Sequence, residues 1–125
     1  MAKIALVVDD SKVVRLFTRR ILEELGFTVQ EAQDGQVALD TCKAGLPHVI
    51  VLDWNMPVMN GLEFLQALRK LPDGNAVPVI FCTTENEMTK IMAALENGAN
   101  EYIMKPFDKD ILSGKLAQLG LLSSD

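Results

Sequence analysis

The segment VIVLDWNMP, residues 49–57, decides which fold the chain is expected to adopt. Its first four residues are branched or large and apolar, and such a run is typical of a strand buried on both faces of a parallel sheet. Asp53 follows at once, and Pro57 and Gly61 then turn the chain away. A carboxylate at the carboxyl end of a buried strand lies where open α/β sheets bind ligands. An aspartate there can also be an ordinary turn residue, so its interpretation depends on what the other strands bring to the same edge.

Size and charge exclude several classes of protein. The 125 residues suffice for one domain with one core, and we expect a single domain over residues 1–125 with no second, output domain. A formal net charge of −5 argues against a general nucleic-acid binder. No apolar run approaches the roughly 20 residues of a membrane helix, and the N-terminus lacks a secretory apolar segment. Cys42 and Cys82 form no metal-binding motif and are expected to be buried and reduced, which favours a cytoplasmic location.

Strand patterns alternate with helix patterns along the chain. Apolar runs predict strands at residues 3–8, 27–32, 49–52, 77–82 and 101–104. Capping residues begin helices at Ser11, Asp34 and Asp108. Helical spacing predicts inward-facing apolar residues on these helices, among them Phe17 on the first, Met88, Ile91 and Met92 on the fourth, and Ile111 on the fifth.

Five strands alternating with five helices predict a doubly wound α/β fold, in which a parallel sheet is covered by helices on both faces. Right-handed crossovers limit the possible windings, and the polar residues of the second strand place it at an edge. The expected strand order is 2-1-3-4-5, the flavodoxin-like order, with a switch point between strands 1 and 3.

Four strands of this sheet deliver a polar residue to one rim. The first ends at Asp9 and Asp10, the third at Asp53, the fourth at Thr83 and the fifth at Lys105, whereas the second, edge strand is expected to contribute nothing comparable. Three converging carboxylates repel one another unless a cation or a proton joins them. Oxygen ligands select a hard cation such as Mg²⁺, so the sequence predicts a magnesium site.

The lysine and the threonine beside such a site suit phosphoryl transfer. Mg²⁺ and Lys105 can neutralise the equatorial oxygens of a phosphoryl group, and the Thr83 hydroxyl can donate a hydrogen bond to it. Asp53 is then the predicted nucleophile, because a carboxylate can accept a phosphoryl group as an acyl phosphate.

These residues together resemble a known family. Asp9-Asp10 after a buried strand, Asp53 with Pro57 and Gly61 behind it, Thr83, and the triplet Lys105-Pro106-Phe107 are similar to the bacterial response-regulator receiver domains, in particular to the single-domain, CheY-like members. The resemblance covers essentially the whole chain. It implies a stand-alone response regulator of a two-component phosphorelay, which catalyses only its own phosphotransfer and autodephosphorylation.

The resemblance also implies a role for each acidic residue. Asp53 would be the phosphoacceptor, served by a histidine kinase or a phosphotransfer protein. Asp10, Asp53 and the backbone carbonyl of Asn55 would bind Mg²⁺ directly, and Asp9 would act largely through water.

The remaining implied roles concern switching. Lys105 would contact the phosphoryl group and precede a cis peptide bond, Thr83 would move toward that group, and Tyr102 would turn inward. The surface of helix 4, strand 5 and helix 5 would then bind a downstream protein, and the regulator itself is expected to be a monomer. Asn55 and Glu85 occupy positions that tune autodephosphorylation, and the bulk of Thr84 departs from the small residue usual in the family.

Other interpretations stay open at this point. A small Mg²⁺-dependent aspartyl phosphatase would need a general acid two residues after Asp53, where Asn55 stands. An FMN-binding protein would need a phosphate-binding first loop, which Asp9 and Asp10 would repel. A receiver-like scaffold that acts without phosphorylation is the remaining alternative. Tyr102 could be only a half-buried strand aromatic, Trp54 could be packed or exposed, and His48 is expected to be structural.

Overall fold

The computed structural model describes residues 3–83 and 88–122. The strands are β1 (Ile4–Val8), β2 (Thr28–Ala32), β3 (Val49–Asp53), β4 (Val79–Thr83) and β5 (Glu101–Met104). The helices are α1 (Lys12–Glu24), α2 (Gly35–Ala44), α3 (Gly61–Lys70), α4 (Met88–Glu96) and α5 (Lys109–Gln118), with a short 3₁₀ turn at Gly74–Ala76. None of the described helices is both long and apolar enough to cross a membrane.

All paired strands are parallel, and the sheet has the order β2-β1-β3-β4-β5, as predicted. The register sets Val8 beside Leu52, Asp53 beside Cys82, and Thr83 beside Met104. Because these pairs lie at the carboxyl ends of the strands, the residues that follow them emerge along one rim of the sheet. The polar strand β2 is an edge strand, which confirms that part of the topology.

The two faces of the sheet carry separate apolar cores. One core contains buried residues from α2, α3 and α4, and the other contains buried residues from α1 and α5. The central strand β3 is buried along its whole length, as its unbroken apolar run predicts. Cys42 and Cys82 are both buried and unbridged, in agreement with the sequence.

Side-chain caps begin the helices where the sequence predicts them. The oxygens of Ser11, Asp34 and Asp108 accept hydrogen bonds from the backbone N–H groups three residues later, at 3.3, 2.9 and 2.9 Å respectively. His48 is structural, because its Nδ1 accepts a hydrogen bond of 2.9 Å from the N–H of Ile4 at the start of β1. Trp54 is partly buried, with its ring 5.4 Å from that of Phe81 in an edge-on contact.

Several predicted inward positions are wrong. Met88 and Met92 are 62% and 52% exposed, so on α4 only Ile91 of that stripe is buried. Phe17 and Ile111 are 47% and 48% exposed. Spacing identifies the apolar side of a helix, but the neighbouring elements decide how much of that side is covered. The strand β4 begins at Val79, two residues later than the predicted start at residue 77, because Pro78 has no N–H for the ladder.

Candidate functional site: an acidic pocket at the rim of the sheet

Three carboxylates meet where β1 and β3 end. Oxygen atoms of Asp9, Asp10 and Asp53 all lie within 4.8 Å of one another. Asp9 and Asp53 are only 4% and 8% exposed, whereas Asp10 is open to solvent. The structure therefore brings together the three acidic residues that the sequence singled out.

The loop after β1 holds Asp9 firmly. Its N–H donates to the carbonyl of Ala32 at 3.1 Å, which extends the pairing of β1 with β2 by one residue. Its carboxylate accepts a hydrogen bond of 2.9 Å from the N–H of Ser11, the residue that caps α1. The sharp turn from strand to helix thus aims the Asp9 side chain into the pocket.

Lys105, the residue directly after β5, spans the pocket. Its Nζ lies 2.5 Å from Oδ2 of Asp9 and 3.0 Å from Oδ1 of Asp53, so a single ammonium group pairs with both buried carboxylates. The backbone of Lys105 is fixed as well, because its N–H donates to the carbonyl of Thr83 at 2.7 Å. The peptide bond between Lys105 and Pro106 is cis, as the family resemblance implies.

Burial and charge shift the ionisation of this pair. Burial raises the pKa of Asp53, the positive charge of Lys105 opposes that rise, and the negative charge of Asp9 adds to it, so the pKa lies above its ordinary value. For Lys105, burial acts to lower the pKa. The hydrogen bond that it donates to Asp9 and the charges of Asp53 and Asp9 outweigh burial, so its pKa is raised and the ammonium form is favoured.

The loop after Asp53 depends on Gly61. The N–H of Gly61 donates to the carbonyl of Trp54 at 2.9 Å, and a Cβ atom at position 61 would overlap the backbone carbonyl oxygen of Asp53. A capping box follows, in which the Asn60 side chain accepts from the N–H of Glu63 and the Glu63 carboxylate accepts from the N–H of Asn60. Gly61, expected only as a turn residue, is in fact the first residue of α3.

The other candidate residues lie around this pocket. Thr83 is buried at the end of β4, where it pairs with Met104, the residue before Lys105. Asn55 is exposed in the loop after β3. Tyr102 is partly exposed on β5, with the Nζ of Lys115 5.2 Å from its ring centre. Thr84 and Glu85 lie outside the described residues.

Sequence reasoning missed the contribution of the edge strand. Glu31 on β2 accepts hydrogen bonds from Arg15 at 3.1 Å and from Arg19 at 2.7 Å, both on α1. Arg15 in turn donates from Nη1 to the carbonyl of Asp9 at 2.6 Å. Glu31 is not one of the three pocket carboxylates, but it supports the backbone of Asp9 through Arg15, a role that the sequence did not predict. The available signal was a pair of arginines four residues apart on one helix, with an acid near the end of the next strand.

An apolar groove of about 560 Å³ borders the pocket on the side of α1. It is lined by Val13, Val14, Phe17, Lys105, Pro106 and Phe107. The rings of Phe17 and Phe107 lie 6.0 Å apart across it. Because Lys105 belongs to both, the groove and the acidic pocket are continuous.

Comparison with known proteins identifies this arrangement. Residues 5–117 match the family described as the response regulator receiver domain. The chain belongs to the response regulator receiver family. Its members of the CheY type are signalling switches of two-component systems, so the fold and the family that the sequence predicted are both confirmed.

Individual relatives and solved structures align with nearly the whole of this chain. It is 36% identical to the chemotaxis protein CheY of Pseudomonas aeruginosa over 115 residues, which is 91% of this chain and 93% of that protein. The structure of CheY4 of Vibrio cholerae superimposes with a TM-score of 0.89 at 33% identity, covering 95% of this chain and 99% of that one. The receiver domain of a sensor histidine kinase from P. aeruginosa, with a magnesium ion coordinated in its active-site cleft, has a TM-score of 0.88 at 26% identity, covering 94% and 97%.

The donor set of this receiver fits a magnesium ion. All three side chains supply carboxylate oxygens, which Mg²⁺ prefers, and one of them faces solvent, where an ion that keeps part of its water shell can enter. The carboxylates also lie close enough for one or two of them to bind a single ion directly.

Proposed function

We propose that this receiver acts as a response regulator that accepts a phosphoryl group on Asp53 and then binds a downstream protein. The observation that carries the proposal is the double contact of Lys105. One ammonium group pairs with both buried carboxylates, Asp9 and Asp53, and its contact with Asp53 would let it stabilise the oxygens of a phosphoryl group bound there.

In the proposed reaction, a carboxylate oxygen of Asp53 attacks the phosphorus of a phosphohistidine on a histidine kinase or a phosphotransfer protein. A P–O bond forms, the P–N bond breaks, and the imidazole leaves with the electron pair. Lys105 stabilises the charge on the transferred oxygens, and its raised pKa keeps it protonated while it does so. The Thr83 hydroxyl then donates a hydrogen bond to the bound phosphoryl group.

Asp10, Asp53 and the carbonyl of Asn55 would hold the Mg²⁺, with Asp9 acting largely through water. The ion, when bound, neutralises charge that develops on the phosphoryl oxygens. The closeness of the carboxylates supports this assignment. The receiver would catalyse only its own phosphotransfer and autodephosphorylation, and so would not be an enzyme with a separate substrate.

The output surface would be formed by α4, β5 and α5. Exposed apolar residues are concentrated there, and they include Met88, Met92, Leu95, Tyr102, Met104 and Ile111. Such a concentration is more typical of a protein-binding surface than of a solvated one. An inward movement of Tyr102 coupled to Thr83 would change this surface on phosphorylation.

The test uses Trp54, the single tryptophan, which adjoins Asp53. Its emission is followed while Mg²⁺ and then beryllofluoride, an acyl-phosphate mimic, are added. We expect a saturable response to Mg²⁺ and a second response that disappears in Asp53→Asn and persists in Asp40→Asn, a control on the exposed side of α2. Mass spectrometry after incubation with acetyl phosphate should find one added phosphoryl group. If neither the emission nor the mass changes, the receiver is a scaffold that acts without phosphorylation.

A further inference from the structure

Arg15 joins the acidic pocket to the edge strand. Its Nη1 donates to the backbone carbonyl of Asp9 at 2.6 Å, and its Nε donates to Oε1 of Glu31 at 3.1 Å. The side chain is only 14% exposed, so both hydrogen bonds lie in a largely desolvated place. The guanidinium group can serve both acceptors at once because its donors are held in a rigid plane.

The contact with the Asp9 carbonyl controls a peptide plane. That carbonyl belongs to the bond between Asp9 and Asp10, and a rigid donor on its oxygen restrains the rotation of the whole plane. The N–H of Asp9 is already held by Ala32 at 3.1 Å, so the backbone is restrained on both sides of this residue. The Cα atom of Asp10 lies at the other end of the same peptide plane, so the orientation of that plane affects the direction of the exposed Asp10 carboxylate.

Glu31 holds the Arg15 side chain in place and is itself held by a second arginine. It is held by Arg19 at 2.7 Å as well as by Arg15, which leaves its carboxylate little freedom to move away from the helix. The path from β2 to the pocket thus runs from Glu31 through Arg15 to the backbone of Asp9.

We propose that Arg15 is a positioning residue for the magnesium site, which sets the angle between the Asp9 and Asp10 carboxylates through the peptide that joins them. The inference rests on the proposed function, since it concerns the same metal site. It makes a prediction opposite in sign to that of simple electrostatics. Removing a positive charge close to the pocket should strengthen cation binding by Coulomb's law, whereas releasing the peptide plane should weaken it.

The experiment measures the Mg²⁺ dissociation constant of the full chain by Trp54 emission and by titration calorimetry. For Arg15→Gln we expect binding about tenfold weaker than in the wild type, in line with the loss of other groups that orient metal ligands. Arg19→Gln is the matched control. This substitution removes the same charge from the same helix, and it also removes a hydrogen bond to Glu31. The hydrogen bond to the Asp9 carbonyl comes from Arg15 and is kept, so we expect the dissociation constant to change by less than about twofold.

Two further variants separate geometry from charge and from folding. Arg15→Lys keeps the charge but cannot donate to both acceptors in the fixed geometry of arginine, so it should remain weakened. Glu31→Gln leaves Arg15 in place with a weaker anchor and should show an intermediate loss, which tests the inference even if Arg15→Gln fails to fold. Urea unfolding of each variant shows whether the titrated protein is native.

The outcomes are distinct. If the wild type binds Mg²⁺ and Arg15→Gln binds it equally or more tightly, the positioning role is wrong and the proposed function stands. Wild-type affinity in Arg15→Lys would show that the paired donors of arginine are not needed to orient the peptide, and it would contradict the positioning role. A wild type that binds no Mg²⁺ overturns the magnesium site and this inference together.

Discussion

Lys105 determines the charge balance of the acidic pocket, because it pairs with both buried carboxylates. Its ammonium group contacts carboxylates that lie 96 and 52 positions earlier in the chain. Burial alone would favour a neutral lysine and a protonated Asp53, but their pairing keeps the lysine charged. Under the proposed function, such a pocket is ready for a phosphoryl group, because its ammonium group already contacts the carboxylate of Asp53.

Gly61 allows the start of α3 to approach the backbone of Asp53 closely. We expect Gly61→Ala to lower the free energy of unfolding by about 2 kcal/mol. The added Cβ overlaps the carbonyl of Asp53, so either α3 or the Asp53 backbone must shift. Urea denaturation measures the loss. Gly45→Ala is the control, because a Cβ there meets nothing within 4 Å. Equal losses in the two variants would contradict the argument from close approach.

Val58 adopts a conformation that β-branched residues avoid. Its φ is +68°, it is 80% exposed, and the N–H of Met59 donates back to the carbonyl of Pro57 across it at 2.7 Å. We expect Val58→Asn to raise the free energy of unfolding by about 1 kcal/mol, since asparagine adopts a positive φ more readily than a β-branched residue and no packing is lost. Thermal denaturation should show a higher midpoint.

Val13→Asn is the matched control for that substitution. Val13 is 77% exposed and lies in α1, where valine and asparagine have comparable helix propensity. A gain in stability at position 13 as large as that at position 58 would mean that added polarity, and not relief of backbone strain, is responsible.

At the scale of elements, the contact between α1 and β2 predicts a pH dependence. The hydrogen bond from Arg19, followed by that from Arg15, lowers the pKa of Glu31 below the ordinary value of 4.5, despite the opposing effect of burial. Because the folded pKa is the lower one, the ion pairs stabilise the protein fully above the unfolded value and lose this effect as the pH falls through the folded value.

We therefore expect Glu31→Gln to be less stable than the wild type by about 0.5–1 kcal/mol at pH 7, a modest amount because the pair is partly solvated. The difference should shrink below pH about 4.5. Urea unfolding at several pH values measures it. Glu23→Gln, which removes only the exposed pair with Arg19, should change stability little. A difference that stays constant down to pH about 3 would show that ionisation of Glu31 is not its cause.

At the scale of the whole molecule, two apolar surfaces lie on different elements. The groove beside α1 is continuous with the acidic pocket through Lys105, whereas the exposed residues of α4, β5 and α5 form another surface. Under the proposed function, a phosphodonor protein brings its phosphohistidine to Asp53, so the groove would be the nearer surface for it. The other surface would then be left for the downstream partner.

This division predicts that Phe17→Ser slows phosphotransfer from a histidine kinase core at least about tenfold, equivalent to about 1.4 kcal/mol of binding energy. Phosphorylation by acetyl phosphate, which needs no docking, should be unchanged. Ile111→Ser is the matched control, because Ile111 is about equally exposed, at 48% against 47%, but lies on α5 in the other surface. The assay follows the transfer rate from a purified, phosphorylated kinase core that is active on the wild type.

Equal slowing with both phosphoryl donors would place the effect of Phe17→Ser in the pocket rather than in docking. Slowing by Ile111→Ser as large as that by Phe17→Ser would show that the donor uses the other surface, and the assignment of the two surfaces would then be wrong.

The sequence by itself determined the local features of this protein and the order of its strands. Caps at Ser11, Asp34 and Asp108 act within three residues, and the unbroken apolar run of β3 follows from burial on both faces. Since parallel strands end on one rim, the meeting of Asp9, Asp53 and Lys105 could be predicted without coordinates.

Only the tertiary structure decided which apolar helix residues are covered and how the pocket is supported. Phe17, Met88 and Ile111 match the spacing of buried positions, yet neighbouring elements leave them about half exposed or more. The path from Glu31 through Arg15 to Asp9 joins separate elements, and no local pattern specifies which acceptor an arginine will reach. Periodicity describes one element at a time, whereas coverage and long side-chain contacts depend on how the elements pack against one another.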